Sequence, residues 1–325
     1  NKGQQTILFL NRRGYAGFVS CRSCGEVMKC PHCDVSLSEH KGGRLICHYC
    51  GYTQPMPKLC PKCGSKYILG FKAGTQQIEE KLKELYPGVR TLRMDADTTR
   101  TKDSYEKILS SFANGEADVL IGTQMIVKGH DFPKVTLVGI LAADLSLNAS
   151  DYRAGERTFQ LLTQAVGRAG RGVLPGEAVI QTYQPDHYAI TCAAAQDYES
   201  FYQEEILYRE LSGYPPVAHM LAVQIYGKEE ENVKQLALRL TDVVKSNMDF
   251  LSGKQKEQSN KKIQVLGPAP ANISKINDIY RYVFYVKHAE YDVLVEVKDR
   301  LEETLRQWQP RQMSIQFDFD PVSVL

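Results

Sequence analysis

The sequence predicts an α/β protein in three parts: a parallel sheet covered by helices on both faces, a Cys-rich metal-binding module inserted near its start, and a small two-layer α+β domain at its end. Three observations predict it. Eight of the nine cysteines fall between positions 21 and 63 as four Cys-x-x-Cys pairs. After them, short runs rich in Val, Ile and Leu alternate with helical segments, as expected of parallel strands buried on both sides. Past residue 216 the order changes to strand, helix, strand, strand, helix, strand, which reads as a separate two-layer domain.

With 325 residues, 43% of them hydrophobic and 24% charged, the chain has room for two or three domains and needs no disulfides to build a core. Its longest apolar stretch, Val135 to Ala143, is broken by Thr136 and reaches about half of the roughly 20 residues of a spanning helix. No membrane crossing is expected. A net charge of +2 leaves any polyanion contact to local patches. The chain opens Asn1-Lys2-Gly3-Gln4-Gln5 with neither an initiator Met nor a basic-then-apolar leader. It enters at once a strand, Thr6 to Leu10, then a turn at Asn11 to Gly14 and a second strand, Tyr15 to Val19. This opening reads as a piece of a longer protein that starts within a domain.

Two thiolates separated by two residues grip one tetrahedral metal from a tight turn, and a following glycine, as at Gly25, Gly51 and Gly64, can supply positive φ. Cys21/Cys24, Cys30/Cys33, Cys47/Cys50 and Cys60/Cys63 therefore predict two structural zinc sites. A disulfide framework fits less well in a chain with no secretory leader. An iron–sulfur cluster also fits less well, because four symmetrical knuckles suit closed zinc sites. Four knuckles pair in three ways. The five residues between Cys24 and Cys30 make it awkward for the first two knuckles to share an ion, which favours nesting. Cys30, Cys33, Cys47 and Cys50 then form an inner site, and Cys21, Cys24, Cys60 and Cys63 an outer one. Residues 21–66 carry seven basic and three acidic side chains, which offset the roughly −2 charge of each zinc tetrathiolate; DNA contact is a second use for them. His32 and His48 lie within knuckles and are expected to be exposed loop residues, not ligands. Cys192, in an Ala-rich helical stretch, is expected to be a small buried hydrophobe.

Downstream, the periodicity predicts helices over 76–86, 102–114 and 155–168 and strands over 118–122, 135–141 and 177–182. Thr75 is placed to cap the first helix, with Glu79 and Glu80 in its opening turns, and a helix N-terminus is also a phosphate site. Gln164, Arg168 and Arg171, spaced by four and three, would share one helical face. Two guanidiniums projecting together suit a triphosphate; cations near a helix C-terminus are the bland alternative. The loop Gly122 to Asp131 follows a strand at the end where open α/β sheets bind ligands. There Thr123 can reach a nucleic-acid phosphate, and Asp131 can hold the following loop or the arginine segment. A helical stretch from His187 to Gly213 is ended by Tyr214-Pro215-Pro216. Strand 217–226, helix 229–251, a Lys-rich loop 252–262, strands 263–266 and 279–287, helix 290–308 and strand 313–319 follow. Tyr280, Arg281, Tyr282, Phe284 and Tyr285 mix aromatic and basic side chains as single-strand-binding surfaces do, although strand aromatics more often form a core.

Phe9-Leu-Asn-Arg-Arg-Gly-Tyr15, the four knuckles, Gly74-Thr-Gln-Gln, Gly122-Thr-Gln-Met, Lys128-Gly-His-Asp-Phe-Pro133 and Glu156 to Gln164 running into Gly167-Arg-Ala-Gly-Arg171 together resemble the C-terminal half of the primosomal protein N′ family of replication-restart helicases, in helicase superfamily 2. The resemblance extends over essentially the whole chain. It implies a RecA-like second helicase lobe over 1–19 and 67–184, a Cys-rich insert over 20–66 binding two zinc ions with the nested pairing, and over 185–325 a linking helix and a C-terminal domain similar to a ribosomal S10-like fold. It implies arginine fingers at Arg168 and Arg171, a coupling role for Gln164, nucleotide contacts at Gly129 and Asp131, and DNA-backbone contacts from Arg12, Arg13, Thr75 and Thr123. The implied activity is ATP- and Mg2+-dependent 3′ to 5′ unwinding at stalled or abandoned forks, with forked or single-stranded DNA, single-strand-binding protein and primosome helicase-loading proteins as partners, in the cytoplasm at the nucleoid. The sequence departs from a complete motor in having no Gly-x-x-x-x-Gly-Lys-Ser/Thr loop and no Asp-Glu-x-His box, so the activity is expected of the intact protein and not of this piece. The competing class is a zinc-bearing nucleic-acid or protein adaptor without motor function.

Overall fold

In the computed structural model, residues 3–10, 19–21, 23–24, 26–33, 35–40, 43–47, 50–70, 74–95, 98–99, 101–127, 131–147, 151–246 and 262–322 are described. In chain order, Gln5–Leu10 forms β1 and the Cys-rich segment holds Val19–Cys21 (β2), Ser38–His40 (β3), Arg44–Ile46 (β4), Thr53–Pro55 (β5) and Ile68–Gly70 (β6). Then come Thr75–Leu85 (α1), Thr91–Met94 (β7), Lys102–Ala113 (α2), Val119–Gly122 (β8), a 3-10 turn over Gln124–Val127, Val135–Leu141 (β9), Asp144–Leu147 (α3), Ala154–Val166 (α4) and Glu177–Ile180 (β10). The chain continues through Tyr188–Ala195 (α5), Tyr198–Ser212 (α6), His219–Gly227 (β11), Glu230–Ser246 (α7), Gln264–Ile276 (β12), Ile279–His288 (β13), Tyr291–Trp308 (α8) and Met313–Phe319 (β14). It divides into two compact units, residues 1–17 with 70–205, and residues 18–69 with 206–325.

The first unit is built on a five-stranded parallel sheet of order β10-β9-β1-β8-β7. β1 is central, pairing Thr6 with Val119 on one side and with Leu137 on the other. β8, Val-Leu-Ile-Gly, is buried throughout, as a strand covered on both faces must be. Ile7, Phe9, Phe112, Leu120, Ile140 and Leu162 form its core, and the Phe112 and Phe132 rings meet edge to face at 4.9 Å. α2 starts where Thr101 accepts a hydrogen bond from the Ser104 amide, satisfying one otherwise orphaned donor. Buried Gln5 spends its amide on the carbonyls of Phe112 and Ala117.

Four local expectations are corrected here. β7 was not anticipated; it is a four-residue edge strand, too short for its alternation to stand out. The stretch 187–213 is two helices, broken where Gln196 takes φ 55°. α5 and the start of α6 pack on the first unit's core, Phe201 stacking on Phe159 at 4.0 Å, so the boundary expected at 184/185 falls later. The helix expected to 168 stops at Val166. The strand expected at Tyr15 lies outside the described residues, as do most of the Lys-rich loop and the C-terminal end of the helix expected over 229–251.

In the second unit, the C-terminal segment follows the expected βαββαβ order. Its sheet runs β12-β13-β11-β14, with β12–β13, β13–β11 and β11–β14 all antiparallel. Leu221, Val223, Ile225, Phe284 and Val286 project from the sheet onto Leu236, Leu240, Leu294, Val297 and Leu301 of α7 and α8. Tyr282 belongs to this core, so it serves packing. β12 continues through Pro268 and Pro270 to Ile276, with register shifts; prolines are tolerated because it is an edge strand. Asn277 and Asp278, at φ 51° and 59°, turn it into β13 as a two-residue hairpin loop of the kind that favours left-handed residues. The Cys-rich segment forms a β3-β4-β5 sheet and a β2-β6 pair around Val19, Met28, Leu37, Leu45, Ile68 and buried cysteines. Among the described residues no helix is long and apolar enough to cross a membrane.

Candidate functional site

Each knuckle is a turn closed on a cysteine. The Cys21, Cys30, Cys47 and Cys60 amides bond to the carbonyls of Glu26, Val35, Tyr52 and Ser65 at 2.8–2.9 Å, and Gly51 and Gly64 bond back to Cys47 and Cys60. Gly51 and Gly64 take φ 75° and 70°, a conformation that costs glycine little; Gly25 lies outside the described residues. The turns bring Cys21, Cys24, Cys60 and Cys63 together as one set and Cys30, Cys33, Cys47 and Cys50 as another, with all ligand atoms of a set within 4.8 Å of one another. This is the nested pairing. The Cys21–Cys63, Cys24–Cys60 and Cys30–Cys50 sulfurs stand 3.6 Å apart. A disulfide needs about 2.05 Å, whereas four sulfurs at about 2.3 Å from one tetrahedral zinc lie roughly 3.8 Å apart. The donor set and its spacing fit one zinc ion per cluster. Burial pushes the Cys33 thiol up to about 12, reinforced by Cys50 and Cys47 and opposed by a hydrogen bond from the Asn277 amide. Four thiolates cannot be collected there without a cation.

His32, expected to be an exposed loop residue, lies in a bend with its side chain 42% exposed, and it is engaged by partners. It is half-buried, its Nδ1 lies 2.7 Å from Asp278 Oδ2, and its ring meets Tyr52 edge-on at 5.4 Å. His48 lies outside the described residues. Cys192 is partly buried against the first unit's core.

The arginine segment is a turn, not the helical face the spacing predicted. α4 ends at Val166 with Gly167 as its cap, and Arg168 and Ala169 continue as turns onto Ala165 and Val166. Gly170, at φ 71°, donates its amide to Val135, the first residue of β9. A Cβ on Gly170 would meet the Gly176 amide nitrogen at 2.5 Å, and one on Gly172 would meet the Pro133 carbonyl oxygen at 2.1 Å. Backbone therefore packs on backbone throughout this segment, which is why glycines recur in it. Arg171 folds back so that Nε donates to the Gly167 carbonyl at 2.7 Å, a C-capping contact, and Nη1 stands 3.7 Å from Asp131 Oδ1. Arg168 is half-buried; burial first, then the Arg171 charge, lowers its pKa. Two guanidiniums and one carboxylate thus meet beside the start of β9. Gln164 is exposed on α4.

Thr123 is half-buried just past the carboxyl end of β8, with its carbonyl accepting from Ile126. Thr75 is buried and is the first helical residue; the N-cap is Gly74. The Thr75 hydroxyl donates to Asp95 Oδ2 at 2.5 Å. Asp95 was missed, although Asp95 to Thr99 carries an Asx-turn pattern; its carboxylate also takes the Thr98 amide. Arg12, Arg13 and Gly129 lie outside the described residues.

Residues 30–55 match the PriA DNA helicase Cys-rich region domain, residues 59–173 the helicase conserved C-terminal domain, and residues 210–322 the primosomal protein N C-terminal domain. The replication restart protein PriA of Bacillus subtilis is 44% identical over 326 residues, covering 100% of this chain and 39% of the relative. That of Synechocystis is 41% identical over 328 residues, covering 99% and 38%. The C-terminal domain of the DEAD-box protein Dbp5 is similar at 14% identity and a TM-score of 0.32, over 64% of this chain and 82% of its own. The chain thus spans about two fifths of the length of these curated relatives.

Proposed function

We propose, from the premise that the chain belongs to the PriA family of replication restart proteins, that it supplies the second half of a superfamily 2 helicase motor together with a double zinc module. In the intact protein the activity is ATP-driven 3′ to 5′ unwinding at stalled or abandoned forks. It is followed by primosome assembly with single-strand-binding protein and helicase-loading proteins in the cytoplasm.

The observation that carries the motor reading is the turn holding Arg168 and Arg171. Like charges held side by side disfavour each other, and an arriving polyanion relieves that repulsion. Guanidinium forks bind phosphoryl oxygens bidentately and remain charged at any working pH. At a triphosphate they stabilise charge spreading over the transferred group. Asp131 balances Arg171 and sets its direction, and Gln164 couples the pocket to the DNA track. Arg12, Arg13 and Thr123 contact the DNA backbone; Thr75 is left out, because its hydroxyl is engaged by Asp95. The phosphate cradle and the Mg2+ ligands come from the rest of the intact protein, so this piece alone does not hydrolyse ATP. Zinc supplies structural cross-links between knuckles, held by the two sets of four cysteines.

In the intact protein, Arg168→Ala is expected to cut ATP turnover about 10³-fold while leaving fork affinity in place. Undiminished turnover would refute the finger role.

A further inference from the structure

The β12–β13 turn grips the inner knuckle, although the two lie about 245 residues apart in sequence. Lys275 Nζ donates to the Pro31 carbonyl at 3.0 Å, the Asp278 amide to the His32 carbonyl at 2.9 Å, and Asp278 Oδ2 meets His32 Nδ1 at 2.7 Å. The Asn277 amide points at the Cys33 sulfur from 3.2 Å, and Ile276 packs against the Cys-rich core. Pro31, His32 and Cys33 of this metal knuckle are thus each touched by a separate hairpin. The backbone donors to Cys21, Cys24 and Cys63 of the outer site, by contrast, belong to Ser23, Cys24, Glu26 and Ser65.

We infer that the Lys275–Asp278 turn is a positioning element of the inner zinc site, so that metal occupancy there and attachment of the C-terminal hairpin to the Cys-rich module form one coupled equilibrium. The physical reason lies in the sulfur. A neutral thiol is a weak acceptor, whereas a metal-bound thiolate is anionic and draws a stronger, charge-assisted bond from an N–H. Outer partners of metal ligands commonly change affinity by 10- to 100-fold. Coupling between two binding events is reciprocal, so whatever the turn adds to zinc affinity, zinc adds to the turn's docking.

The inference rests on the two-zinc reading above, and its test separates the two. The full chain and its Lys275→Ala/Asp278→Ala variant are loaded with zinc, metal content is measured, and both are challenged with excess chelator and a cysteine alkylating reagent. Mass spectrometry then reports which cysteines are modified first. Release of one ion about 10-fold faster in the variant, with Cys30, Cys33, Cys47 and Cys50 alkylated early and the outer four at the parent rate, supports the inference. Equal release in both proteins, or equal acceleration at both clusters, overturns it alone; a parent chain holding fewer than two ions overturns both readings. Should the variant fold poorly, amide exchange in the unaltered chain decides. Stripping zinc is expected to speed exchange at Asn277 and Asp278 by about 10-fold or more, and unchanged exchange there overturns the inference.

Discussion

Asp118 precedes β8 and takes the Arg90 guanidinium at 2.6 Å and 3.2 Å and the Arg90 amide at 3.0 Å, which ties the approach to β7 to the approach to β8. The Arg90 side chain and amide together hold the Asp118 carboxyl below its ordinary value. A depressed carboxylate stabilises the fold above the unfolded pKa near 3.9 and loses that stabilisation as pH falls through the folded value. Asp118→Asn is therefore expected to lower thermal stability at about pH 7 and to match the parent near pH 2, with a small effect throughout because both groups are well exposed; a difference that stays constant with pH contradicts this. At this scale the eight cysteines were readable, since two-residue spacing is a local constraint. The partners of His32 and Thr75 were not, since Asp278 and Asp95 reach them only through the tertiary fold.

At the scale of elements, the turn after α4 shows why helical spacing misled. Gln164, Arg168 and Arg171 lie at helical intervals, but glycines at 167 and 170 remove the propensity to continue, and Gly170, at φ 71°, has no room for a Cβ against Gly176. Gly170→Ala meets both backbone strain and a clash, so it is expected to destabilise the first unit by about 1–3 kcal/mol; denaturant unfolding with tryptophan-independent detection such as circular dichroism measures it, and a neutral substitution would mean that the turn relaxes freely. The long periodic helices and the buried strands β8 and β9 were legible in type and nearly in extent. β7 and the break at Gln196 were not, because a four-residue edge strand and a lone left-handed glutamine leave too little pattern. The continuation of β12 to Ile276 was hidden by its prolines, whose tolerance depends on the strand being at the sheet's edge, a property of the assembled sheet.

Across the whole molecule, the parallel-sheet core and the Cys-rich core differ in kind. The parallel sheet buries large side chains such as Phe9, Phe112 and Ile140, while the Cys-rich segment has Val19, Met28, Leu37, Leu45 and Ile68 among its own cysteines. So small a core depends on its metal. Removing zinc is expected to abolish amide protection over residues 19–69 while β1, β8 and β9 keep theirs; hydrogen exchange reads both, and retained protection over 19–69 contradicts it. The strands themselves were visible in the sequence, but not their order, because nothing local states that β1 will lie between β8 and β9.

That central placement bears on how the protein is made. Within this stretch β1 leaves the ribosome before its pairing partners Val119 and Leu137, which follow only after more than a hundred further residues. At roughly 5–20 residues per second, Ile7 and Phe9 wait for seconds before these partners arrive, while all eight thiols have already emerged and can capture their ions. Birth order thus lets the metal sites fill before the sheet is complete and before the Lys275–Asp278 turn has emerged, and it leaves β1 exposed until β8 and β9 arrive.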